Sequence, residues 1–66
     1  MTLEDRITID PAVRNGKPCV RGMRITVEEV LQYLASGMME DEILADFPYL
    51  ERDDLWACRE FSALRT

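Results

Sequence analysis

The spacing of apolar side chains changes period along the chain. Arg6-Ile7-Thr8-Ile9 alternates and is rich in β-branched residues, which predicts a short strand. Asp10-Pro11 ends it, because proline cannot donate to a ladder and biases its predecessor away from helix. Asn15-Gly16 is a turn signal, both residues tolerating positive φ. Cys19, Val20, Met23 and Ile25 follow, and Gly22 among them predicts a second turn. Residues 6–25 therefore read as a β-hairpin or extended arm of short pieces and tight turns. Arg6-Ile7-Thr8 returns as Arg24-Ile25-Thr26, which suggests two similar strands that pair with one another.

From Thr26 the period becomes helical. Thr26-Val27-Glu28-Glu29 is a capping box, with Val27, Val30, Leu31 and Leu34 on one face and Gly37 as the stop. This predicts a first helix over 27–36. Glu40-Asp41-Glu42 places negative charge at the positive end of a second helix over 40–46, with Ile43, Leu44 and Phe47 as its apolar face and Pro48 closing it. At two turns it needs tertiary packing to exist. Asp53-Asp54 opens a third helix over 52–64. Leu55, Cys58 and Ser62 share one facet, and Ala57, Phe61 and Leu64 the next. Trp56 falls among Arg59 and Glu60. It either folds over the edge of the core or stands out as an aromatic anchor for another chain. The predicted fold is mostly α, one domain over residues 1–66. The arm (6–25) precedes a tri-helical part (27–64), whose second and third helices, joined by a tight Pro48–Glu51 turn, form a helix-turn-helix.

Composition narrows the chemistry. With 66 residues the core holds about a dozen side chains. No stretch approaches the ~20 apolar residues of a membrane span, and the acidic N-terminus lacks the apolar run of a signal peptide, so the expected location is cytoplasmic. There is no histidine, so the commonest general base and the usual partner of a nucleophilic Ser or Cys are missing. Cys19 and Cys58 read as reduced thiols packed as small hydrophobes rather than as a disulfide, and two thiols far apart make a poor metal site. The expectation is binding without catalysis, metal or cofactor. Net charge is −5, unevenly placed. Residues 1–26 carry five cations against three acids, and residues 27–66 carry three cations against ten acids. A mildly basic arm joined to an acidic helical part suits either a nucleic-acid contact or a solvated surface.

One stretch is more specific. Asn15-Gly16-Lys17-Pro18-Cys19-Val20-Arg21-Gly22-Met23-Arg24-Ile25-Thr26-Val27 resembles the signature of domain of unknown function 433 (DUF433): Gly-Lys-Pro, an apolar pair, Arg-Gly-Thr-Arg-Ile and an apolar helix start. Ala35-Ser36-Gly37, the run Glu42 to Leu50 with its aromatic-Pro pair, and Asp54-Leu55 match later landmarks, so the resemblance covers roughly residues 6–62. The sequence departs from the pattern at Met23 in place of Thr, at Met39 where Ser or Thr would cap the second helix, at Glu51-Arg52 in place of Thr-Pro, and at Trp56 and Arg59.

The resemblance implies a homeodomain-like helix-turn-helix and a role like that of VapB-type antitoxins. Such proteins mask a small PIN-like toxin, and the complex represses its own promoter. Two readings follow. In one, the chain is a DNA-binding regulator, a homodimer whose operator contacts come from Arg14, Lys17, Arg21 and Arg24, because the acids opening the third helix repel phosphate. The same arginines can instead be structural, bonding backbone carbonyls or nearby acids. In the other, the chain is a protein-only module whose acidic helical half caps a basic partner. With the chain ending at Thr66, masking would fall to the folded domain itself. Met38, Met39, Trp56 and Arg59 are the candidate dimer or partner surface, since adaptable methionine and rigid tryptophan suit interfaces.

Overall fold

A computed structural model describes residues 3–64. The first described element is a single helical turn, α1 (Leu3–Arg6), which runs directly into β1 (Ile7–Thr8). A 3-10 turn over Arg14–Gly16 leads to β2 (Cys19–Val20). Three helices follow: α2 (Val27–Ala35), α3 (Glu40–Asp46) and α4 (Arg52–Leu64). The molecule is thus a small three-helix bundle with a two-strand antiparallel hairpin ahead of it. No helix among the described residues is long and apolar enough to cross a membrane.

The arm is shorter in strand than its alternation predicts. Arg6 closes α1 instead of opening β1, and Ile9 is exposed and outside the ladder. Asp10 explains the early end: its carboxylate accepts the Ala12 N–H at 2.9 Å and its carbonyl the Val13 N–H at 2.9 Å, turning the chain away. β1 and β2 pair with Ile7 opposite Val20 and Thr8 opposite Cys19. The Arg-Ile-Thr echo does not pair with itself. Its two copies lie on either side of Cys19–Val20, since Cys19 also bridges Thr26 and the Val20 N–H reaches the Ile25 carbonyl at 3.1 Å. The tight reversal between them is a Val20–Met23 turn closed at 2.8 Å. Arg21 (φ 44) and Gly22 (φ 73) both take positive φ, the geometry of a type I′ turn. A side chain at position 22 would meet no neighbour, so only the backbone angle asks for glycine there.

The helix ends follow from local chemistry. The Glu29 N–H donates to Thr26 Oγ1 at 3.0 Å, and the Thr26 N–H donates to Glu29 Oε1 at 2.9 Å, completing the predicted box. At the other end Gly37 (φ 99) makes a paired closure: its N–H reaches the Leu34 carbonyl and the Met38 N–H the Tyr33 carbonyl, each at 3.2 Å. α3 has half a cap, the Met39 N–H donating to Glu42 at 2.8 Å, while the methionine side chain stands 69 % exposed.

The core gathers Ile7, Val20 and Ile25 from the arm, Val27 and Val30 from α2, Ile43 from α3, Leu50 from the turn, and Leu55, Ala57 and Cys58 from α4. Cys19 and Cys58 are buried free thiols. Leu64, expected on a packed facet, is exposed, while Phe61 and Ser62 are half-buried. Trp56 is 40 % exposed and outside the core cluster. Asp54, expected only as a charge at a helix start, is wholly buried.

Candidate functional site

Asp54 is where arm and bundle lock. It occupies the third position of α4, and its Oδ2 accepts the Glu51 N–H at 2.8 Å, closing the helix start from within. Arg21 grips both carboxylate oxygens, Nε to Oδ1 at 3.0 Å and Nη2 to Oδ2 at 2.8 Å, and also donates to the Tyr49 carbonyl at 2.7 Å. Arg6 Nη1 donates to Oδ1 at 3.0 Å and also pairs with Glu51. Burial alone would push the Asp54 carboxyl up. The donors from Arg21, the Glu51 backbone and Arg6 outweigh it and hold the carboxyl below the usual range. The positive φ of Arg21 is held by these bonds.

The four cations expected at an operator do not form one patch. Arg21 is engaged as above. Arg14 Nη1 donates to Glu29 at 2.9 Å and to the Arg24 carbonyl at 2.8 Å. Lys17 lies apart, in a shallow groove beside Leu31 and Phe61. Lys17 and Arg24 are exposed and have no carboxylate partner among the described residues. Two of the four, Arg14 and Arg24, share one site.

Of the proposed partner surface, Met38, Met39 and Arg59 meet. With Leu34, Glu40 and Arg52 they line an open groove of about 340 Å³ between the start of α3 and the face of α4. Arg59 and Arg52 both donate to Glu40, which holds its carboxyl below the usual range, and Arg52 also reaches Asp41. Trp56 does not line this groove. It stands on the same outward face of α4, between Arg52 and Arg59 on one flank and Asp53 and Glu60 on the other, as their i±3 and i±4 spacing requires.

A groove of about 550 Å³ has no counterpart in the sequence reading. Its floor carries Tyr33 from α2, Phe47 from the end of α3 and Tyr49 from the turn, and Arg14, Arg24 and Glu29 stand around it. Tyr33 and Phe47 stack with centroids 5.3 Å apart, and Phe47 meets Tyr49 edge-on at 6.1 Å. Tyr49 is half exposed. Only the Phe47-Pro48-Tyr49 cluster hints at this site in sequence, because the three rings come from elements with no common period. The groove can bind an aromatic or apolar group beside an anion. Neither thiol opens onto it, and burial pushes the Cys58 thiol up to about 12.

No curated protein matches the chain. A crystal structure of a DUF433 member protein from Anabaena variabilis superposes on it with a TM-score of 0.87 at 32 % sequence identity, covering 94 % of this chain and 61 % of that one. The chain therefore spans about three fifths of that protein's length. The model of the family described as protein of unknown function (DUF433) matches residues 7–62, nearly the whole chain, so the chain belongs to this family.

Proposed function

We propose that the chain is a protein-recognition module in an antitoxin-like role, masking a small PIN-like nuclease with its acidic helical half. The observation that carries this reading is where the arm's cations go. Arg6 and Arg21 close on Asp54, and Arg14 closes on Glu29. In a helix-turn-helix reading α4 would face DNA, yet Asp53 in its first turn and Glu51 just before it are exposed acids that already share Arg6. Phosphate neutralisation supplies most DNA affinity, so such a surface is poorly placed for a duplex and well placed for a basic protein. Glu28, Asp46 and Glu60 add exposed acids on the helical half.

The test is co-expression of the tagged chain with the product of its neighbouring reading frame. A stoichiometric complex with a small PIN-like nuclease is expected, its association slowing as salt rises. The isolated chain should leave promoter DNA unshifted. A second reading rests on Lys17 and Arg24, exposed cations that have no carboxylate partner among the described residues. If the isolated chain retains promoter DNA, and Arg24→Ala lowers its salt slope by about 1, DNA reading replaces the protein-only role.

A further inference from the structure

Two features of the surface match one another. The first is the aromatic groove, where Arg24 stands exposed beside Tyr49 with no carboxylate of its own among the described residues. The second is Trp56, 40 % exposed on α4 and flanked by Asp53 one turn before and Glu60 one turn after. Asp53 reaches Arg6 at 3.7 Å, but Glu60 has no cation among the described residues.

We propose that the chain self-associates by seating Trp56 of one copy in the Tyr33–Phe47–Tyr49 groove of another, with Arg24 of the groove closing on Glu60 of the incoming helix. The groove is open and, at about 550 Å³, roomy enough to receive an indole side chain. An indole meeting aromatic ring edges and faces is a favoured contact, and a buried tryptophan is a common anchor of interfaces. One seating covers both Trp56 and Tyr49, two of the large apolar side chains left exposed. A nucleic-acid strand is the weaker occupant. Glu29 stands in the same groove, Arg14 is already paired with it, and the chain carries −5 overall, so a polyanion meets net repulsion where a single carboxylate does not. A two-fold axis makes the contact reciprocal, each copy giving one tryptophan and one groove. This inference does not rest on the toxin-masking role, although Glu60 belongs to both surfaces.

The experiment is light scattering and sedimentation of the purified chain over a concentration series. The wild type should show a monomer–dimer equilibrium. Trp56→Ala removes the anchor from both contacts of the dimer and should weaken it by about 30-fold per contact, about 1,000-fold together. Arg24→Glu alone and Glu60→Arg alone set like charges against each other in both contacts and should each give monomers. Mixing these two variants restores opposite charges in both contacts, so heterodimers should return. That recovery separates a broken contact from a broken fold. A monomeric wild type, a dimer that survives Trp56→Ala, or a failure of the mixed variants to associate would each overturn the proposal.

Discussion

Asp54 shows how much one buried charge decides. Asp53 and Asp54 are alike in type and adjacent in the sequence, yet one is exposed and the other has no solvent contact. Helical spacing turns Asp54 toward buried Ala57 and Cys58 and Asp53 toward Trp56, but the arginines that balance the buried charge lie 33 and 48 residues away, which no local pattern announces. Asp54→Asn keeps the shape but removes the charge that two guanidiniums hold. It should cost about 3 kcal/mol, read as a lower urea midpoint at unchanged slope. The same carboxyl sets an acid limit. Because its native pKa is depressed, its contribution is whole above the unfolded value and is lost as pH falls through the native one. Glu29 acts in the same sense, its carboxyl lowered mainly by the Thr26 backbone N–H. Thermal stability should therefore fall below about pH 4, and less steeply in Asp54→Asn. A wild-type melting temperature flat down to pH 2 would contradict this.

At the scale of elements, the helices were legible because their ends are written locally. Thr26 with Glu29, Gly37, the acids at 40–42 and Pro48 each act within one turn, and the predicted spans agree with the observed ones to within a residue. The arm was legible only as a composition of turns. Which strands pair depends on Cys19–Val20 lying between the two Arg-Ile-Thr segments, a tertiary fact. α1 was missed because a single turn has no period to detect. The departure at Met39 is testable at this scale. Its backbone already has cap geometry and Glu42 already returns to its N–H. Met39→Ser completes the box and should add about 0.5–1 kcal/mol, read as a higher melting temperature.

Over the whole molecule, the charge asymmetry seen in sequence is resolved by folding. The basic arm does not project as a free limb, since Arg6, Arg14 and Arg21 are closed onto acids of the helical part. Sequence could name the cations but not distribute them, because each partner lies in another element. The aromatic groove was hidden for the same reason, its rings converging from three segments. The two cysteines offer a check on the integrity of the whole. Both are buried, and Cys58 is held protonated, so alkylating reagents should label neither until the bundle opens. Rapid labelling of Cys58 in native buffer would show that its packing is looser than described.

The tie between Arg6 and Asp54 spans most of the chain, and so bears on the order of folding. Helices with their own caps form from nearby residues, whereas this tie waits until both ends of a long loop meet, with the entropy that closure costs. The expectation is a contact that forms after the transition state. Stop-flow chevrons of Asp54→Asn should then show a nearly unchanged refolding arm and a faster unfolding arm. The lock between arm and helix would govern how long the native state lasts, more than how quickly it is reached.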